Sequence, residues 1–213
     1  MNLDLKLYGI TDPRWTKNDE EFFRSVRKAL EGGVTILQLR EKDTPYEEFL
    51  FRAKEVKKIC DEYKVPLIIN DNVEIMEAVD AAGVHLGRSD ASIKEVRKKY
   101  PKKIIGATVK TILQAILAKA AGASYFGVGA VNPSLTKSDA VPIDVKRLNE
   151  IDEAAGVPIV AIGGINLENM ENLSGARIDG VAVSEAIFGS KDVEESARLL
   201  KEKFLEITRR HHA

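Results

Sequence analysis

The sequence predicts an α/β fold, a single-domain (β/α)8 TIM barrel, and three observations carry that reading. Short β-branched apolar runs alternate with charged amphipathic stretches from one end of the chain to the other. Eight such runs are found, each followed by a helix candidate, which implies a parallel sheet with helical crossovers. The turn after the first run, Tyr8-Gly9-Ile10-Thr11-Asp12-Pro13, lacks the G-x-G-x-x-G pattern that an open doubly wound sheet expects there.

In order, the strands are read at Leu5–Thr11, Thr35–Arg40, Pro66–Asn70, Gly83–Gly87, Lys103–Thr108, Ser124–Val131, Pro158–Gly163 and Gly180–Ser184. Glycine or proline marks many of their entrances, at Gly32-Gly33, Pro66, Gly83, Gly122 and Pro158. Helical spacing is clearest over Glu47–Tyr63, where Phe49, Leu50, Ala53, Val56 and Cys60 recur, and over Val193–Thr208, with Ala197, Leu200 and Phe204. No linker or break in composition interrupts the 213 residues, so one domain over residues 1–213 is expected. That is compact against the ~250 residues of a typical barrel.

With 32 basic and 33 acidic residues the net charge is −1, which removes any global attraction to nucleic acid or an anionic membrane. The single cysteine, Cys60, cannot form an internal disulfide and falls on an apolar helix face, which fits a core role in a reducing cytoplasm. The segment Met1–Ile10 has no basic n-region and no long apolar stretch, and no run approaches the ~20 residues of a membrane span. A cytoplasmic protein acting on small molecules is the expectation.

Barrel chemistry sits at the C-terminal ends of the strands. The second strand ends Gln38-Leu39-Arg40-Glu41-Lys42, and Gln38, Arg40 and Lys42 share one face while the chain stays extended. Two cations and an amide there suit a polyanionic phosphate; alternatively, Arg40 pairs with Glu41 or another carboxylate as a structural rim. The third strand ends Asn70-Asp71 and the fourth is followed by Arg88-Ser89-Asp90. Asp71 and Asp90 either cap the following helices or share a hard cation, since Mg2+ is held by few carboxylates plus substrate phosphates. After the sixth strand, Asn132 to Asp139 forms a polar loop with Ser134, Thr136 and Lys137 as donors to anionic oxygens, or a plain surface connection. Gly163-Gly164 after the seventh strand and Ser184-Glu185 after the eighth stand where barrels usually hold a monophosphate. His85, within the fourth strand, reads as a barrel-lining or core residue. No His/Cys cluster, nucleophile elbow or Walker loop is present.

The order of these segments resembles the thiamine phosphate synthase family over nearly the whole chain. The resemblance rests on Gln38-Leu39-Arg40-Glu41-Lys42, Asn70-Asp71, Gly83-Val84-His85-Leu86-Gly87 with Asp90, Thr136-Lys137, Ile162-Gly163-Gly164-Ile165 and Gly180-Val181-Ala182-Val183. It implies a transferase of thiamine biosynthesis that joins hydroxymethylpyrimidine diphosphate to a thiazole phosphate. Arg40, Lys42, Asn70 and Lys137 would hold the diphosphate, Thr108 would hydrogen-bond it, and Asp71 and Asp90 would carry Mg2+. Gln38 would line the pyrimidine pocket. Ser134 and Thr136 would contact the thiazole phosphate, with backbone amides at Gly164, Ser184 and Glu185. A homodimer stays open.

The chain departs from the family pattern at Arg88 (usually glutamine), Thr108 (serine), and Ala130, Asn132 and Ser134 (proline, an aromatic and threonine). Ser184-Glu185 replaces an apolar residue followed by serine and sets a carboxylate near the expected phosphate. The rivals are a thiazole tautomerase-like isomerase, which would want a histidine within Gly129–Thr136 where none occurs, and a phosphate-ligand-binding barrel without turnover.

Overall fold

Each apolar run becomes a short strand: β1 (Leu7–Ile10), β2 (Ile36–Leu39), β3 (Leu67–Asn70), β4 (Gly83–Leu86), β5 (Ile104–Val109), β6 (Tyr125–Gly129), β7 (Ile159–Ile162) and β8 (Gly180–Val183). The structure is a computed structural model that describes residues 3–87, 91–132 and 142–209. All neighbouring strands pair in parallel in sequence order, and β8 pairs with β1, Tyr8 beside Ala182, to close the barrel. Closure leaves no sheet edge, so every strand can be apolar on both faces.

Alternation along the strands sorts side chains into two layers. Leu5, Tyr8, Ile10, Ile36, Ile68, Ile104, Tyr125, Val160 and Ala182 fill the barrel lumen as one cluster. The opposite parity, including Leu7, Leu37, Ile69, Val84 and Val181, packs outward against the helices. These are α1 (Asp19–Glu31), α2 (Tyr46–Glu62), α3 (Val73–Ala78), α4 (Ile93–Lys99), α5 (Ile112–Ala121), α6 (Val145–Ala155), α7 (Glu185–Phe188) and α8 (Val193–Arg209). In α2 the buried face is Phe49, Ala53, Val56, Ile59 and Cys60, and Leu50 is half-buried at its margin. In α8 Ala197, Leu200, Phe204 and Ile207 are buried at the expected spacing. Each large side chain so buried contributes about 1.5–3 kcal/mol. Among the described residues no helix is long and apolar enough to cross a membrane.

The expected alternation of strand and helix fails once. Between β7 and β8 there is a single 3-10 turn, Met170–Leu173, where an α-helix was expected, and both α7 and α8 follow β8. The local sequence explains it. Gly163, Gly164 and Gly175 hold positive φ, and the Asn166 carboxamide accepts from the backbone N–H of Glu168 and Asn169. Such side-chain turns compete with helical hydrogen bonds.

Candidate active site

The mouth is built strand by strand. β1 and β2 are tied together at their ends: the Thr11 amide donates to the Gln38 carbonyl at 3.0 Å, and the Arg40 amide donates to Thr11 Oγ1 at 3.1 Å. Gln38 lies in the lumen, 3% exposed. Arg40 is half-buried and Lys42 exposed beyond the end of the strand. The extended chain then stops at Asp43, which takes a left-handed φ of 57°. Glu41 turns the other way, toward α2, and accepts from Arg52 Nη1 at 2.8 Å and from Thr44 Oγ1 at 3.0 Å. Arg52 also pairs with Asp19 and Glu48, each at 2.8 Å. Glu41 is therefore engaged by Arg52, and neither Arg40 nor Lys42 has a carboxylate ion pair among the described residues. The rim pairing of Arg40 with Glu41 does not form, which leaves two cations for an anion.

After β1, Asp12 is 7% exposed and is gripped by Arg14, Nη2 to Oδ2 at 2.5 Å. Burial opposes its ionisation, yet the Arg14 hydrogen bonds and the charges of Arg14 and Arg40 outweigh that and hold the carboxyl below its usual range. Arg14 is in turn raised, first by its Asp12 hydrogen bond and charge and also by the charge of Glu185. Glu185, exposed at the start of α7, thus has a cation nearby. The half-buried Ser184 precedes it, and the first amides of that turn have no intrahelical acceptor. The neighbouring Trp15 packs against Gly189 at the end of α7: a Cβ there would lie 3.1 Å from two of its ring atoms.

Asn70 closes β3, and its amide donates to the Asp71 carboxylate. Asp71 has φ 61°, is exposed, and anchors its own N–H on the His85 carbonyl at 2.9 Å. The helix-capping alternative for it fails, because Asn72 caps α3 by accepting from the Ile75 amide at 2.8 Å. The N-cap position of α4 is Ser92. Asn70 and Asp71 share a cleft of ≈ 450 Å³ with Glu41, Thr44, Glu74 and Ala91. Glu41 Oε1 is buried there without a hydrogen-bond partner among the described residues. Among those residues no group of three or more His, Cys, Asp or Glu could hold a metal. The donors present are oxygens, and an exposed Asp71 suits a Mg2+ that takes one or two carboxylates and completes its shell with phosphate. Arg88, Ser89 and Asp90 lie outside the described residues, as do Ser134, Thr136 and Lys137.

On the far side of the mouth, Gly163 and Gly164 adopt φ of 110° and 61°. A Cβ on Gly163 would stand 2.6 Å from Ala130 Cβ, so only glycine permits this approach of the loops. Asn132 donates to the Gly163 carbonyl from both its backbone N, at 3.2 Å, and its side chain, at 3.3 Å. Asn169 donates to the Gly164 carbonyl at 2.7 Å. Asn132, where the family more often has an aromatic, is thus a clamp on the glycine turn.

Thr108, half-buried in β5, connects to groups that sequence reasoning left aside. His85 Nε2 bonds Thr108 Oγ1 at 2.9 Å and His85 Nδ1 bonds Tyr125 Oη at 3.0 Å. Tyr125 Oη bonds Tyr8 Oη at 2.6 Å, and Gln38 Nε2 donates to Tyr8 Oη at 2.8 Å. Burial pushes both phenols well above their ordinary pKa of 10.0. His85 is therefore a lumen residue, as expected, but one in a polar chain. The signal available in the sequence was three polar aromatics at inward-facing parity in apolar strands.

Comparisons with known proteins follow the same outline. The family model described as thiamine monophosphate synthase matches residues 7–187. The thiamine-phosphate synthase of Clostridium tetani is 43% identical over 200 residues, covering 93% of this chain and 95% of that protein. That of Pyrococcus abyssi is 41% identical over 203 residues, covering 95% and 96%. The solved thiamine phosphate pyrophosphorylase of Pyrococcus furiosus superposes with a TM-score of 0.87 at 38% identity, covering 96% of this chain and 98% of the other. With matches of this extent and a barrel whose strand ends carry Gln38, Arg40, Lys42, Asn70, Asp71 and the Gly163-Gly164 turn, the chain belongs to the thiamine monophosphate synthase family.

Proposed function

We propose that this transferase joins hydroxymethylpyrimidine diphosphate to hydroxyethylthiazole phosphate, giving thiamine phosphate and diphosphate. The observation that supports it best is the grouping of polar strand-end residues at two places around one mouth. Arg40, Lys42 and Asp71 follow β2 and β3, with Asn70 at the end of β3, and the glycine turn and Ser184-Glu185 follow β7 and β8, with β1 between the two groups on the closed ring. Two phosphorylated substrates can then meet over the lumen with their reacting ends inward.

In this reading the bond between the pyrimidine methylene carbon and the diphosphate oxygen breaks first. The electron pair leaves with diphosphate, and the thiazole nitrogen supplies the pair for the new C–N bond. The reaction so written needs no nucleophile from the chain. Arg40 and Lys42, which make no carboxylate ion pair among the described residues, neutralise the departing charge together with Lys137, while Asn70 and Thr108 donate hydrogen bonds to it. Asp71 and Asp90 would hold a magnesium ion, which would supply further positive charge to stabilise the leaving diphosphate. Gln38 orients the pyrimidine, while Gly164, Ser184 and Glu185 amides with Ser134 and Thr136 hold the thiazole phosphate. The test is an endpoint assay with both substrates, with and without Mg2+, following thiamine phosphate by fluorescence after oxidation. Metal-dependent product is expected; folded protein that binds both ligands without product would overturn the reading.

A further inference from the structure

The lumen chain Gln38–Tyr8–Tyr125–His85–Thr108 draws one side chain from each of five strands. Its ends are the group assigned above to the pyrimidine ring and the hydroxyl assigned to the diphosphate. The barrel makes room for it with glycine. A Cβ on Gly106 would lie 2.2 Å from Tyr125 Cζ and 2.5 Å from His85 Nδ1, and one on Gly127 would lie 3.1 Å from His85 Cε1.

Each phenol owns one proton, so a phenol that accepts on one side donates on the other. The donor direction set at one end is therefore carried to the other. With the Gln38 amide nitrogen on Tyr8, Tyr8 donates to Tyr125 and Tyr125 donates to His85 Nδ1. The imidazole then holds its proton on Nε2 and donates to Thr108 Oγ1, which leaves the Thr108 proton for the mouth. If the amide turns over, Tyr8 donates to Gln38 Oε1 and every bond reverses. Thr108 then spends its proton on His85 and offers only lone pairs outward.

We propose that this chain is a specificity relay that couples recognition of the pyrimidine edge to recognition of the diphosphate. A ring that donates to Gln38 Oε1 through an exocyclic amino group fixes Thr108 as a donor to the diphosphate. An oxo ring, which accepts at that position, turns the amide over and sets Thr108 lone pairs against anionic oxygen. Tyr8, Tyr125 and His85 are positioning residues in this scheme and touch no reacting atom. The relay rests on the proposed reaction.

The test compares amino- and oxo-pyrimidine diphosphates on the wild type and on Tyr125→Phe, at saturating thiazole phosphate. Cutting the chain frees Thr108 to donate whichever ring is bound, so kcat/KM for the oxo substrate should rise relative to the amino substrate by about tenfold, the worth of one good hydrogen bond. The amino/oxo ratio therefore falls about tenfold. Thr108→Val should collapse the ratio equally, and the double variant should collapse it no further. Equal losses on both substrates, with the ratio preserved, would overturn the relay, since a merely structural role predicts that result. If Tyr125→Phe does not fold, Tyr8→Phe makes the same comparison. If the wild type turns over neither pyrimidine, the proposed reaction fails, and calorimetry tests the relay alone. Inorganic diphosphate should then bind about tenfold tighter with the amino-pyrimidine alcohol present than with the oxo alcohol, and this difference should vanish in Tyr125→Phe. No difference in the wild type would overturn the relay.

Discussion

Lys42 and Arg52 are both cations within reach of Glu41 in sequence, yet they serve different ends. Lys42 is exposed without an ion pair among the described residues, so Lys42→Ala should leave stability within about 0.5 kcal/mol. Its kcat/KM should nonetheless fall on the order of 100-fold through lost stabilisation of the departing diphosphate. Parallel melts and kinetics check the split; a large stability loss with normal turnover would remove Lys42 from the site. Arg52 is the reverse case. Its removal strands the fully buried Glu41 carboxylate, so Arg52→Ala should cost about 3 kcal/mol by urea denaturation. Asp12 adds a pH signature. Its folded pKa lies below the ordinary 3.8, so the stability it contributes is full above that value and is lost as pH falls through the folded pKa. The stability gap between wild type and Asp12→Asn should be constant above about pH 5 and close in acid, as read from urea melts across pH.

At the level of elements, residues 130–132 after β6 and the glycine turn after β7 form one unit. Gly163→Ala would force a Cβ against Ala130 in a backbone conformation that disfavours it, at a cost of about 1–3 kcal/mol. If this turn holds the thiazole phosphate, KM for that substrate should rise severalfold or more while KM for pyrimidine diphosphate stays within twofold, as an order-of-magnitude expectation. A rise in both would place the turn elsewhere in the reaction. The strands themselves were legible in sequence because apolar runs bounded by glycine or proline have few other uses. The helices α2 and α8 were legible because burial repeats along them every three or four residues. The 3-10 turn after β7 was not, because Asn166 and Asn169 hydrogen bonds decide it and periodicity does not register them.

For the whole molecule, closure is what sequence reading could assume but not use. Residues on β1, β2, β4, β5 and β6 are scattered from Tyr8 to Tyr125 along the chain, and only a closed ring turns them toward one axis. The strand-end residues Gln38, Arg40, Lys42, Asn70 and Asp71 could be picked out because each stands at a recognisable boundary. Tyr8, Tyr125 and the linking role of His85 could not, because their partners lie across the lumen and not along the chain. Closure also sets the loop that leaves β1 beside the exit of β8, and this gives the enzyme an optical handle of its own. Trp15 is the only tryptophan, 43% exposed, and it leans on the end of the one-turn helix that begins at Ser184-Glu185. Intrinsic fluorescence should therefore report thiazole phosphate strongly and pyrimidine diphosphate weakly. The order in which the two substrates arrive can then be timed by stopped flow without any label, and a signal from the pyrimidine alone would mean that the two sides of the mouth communicate.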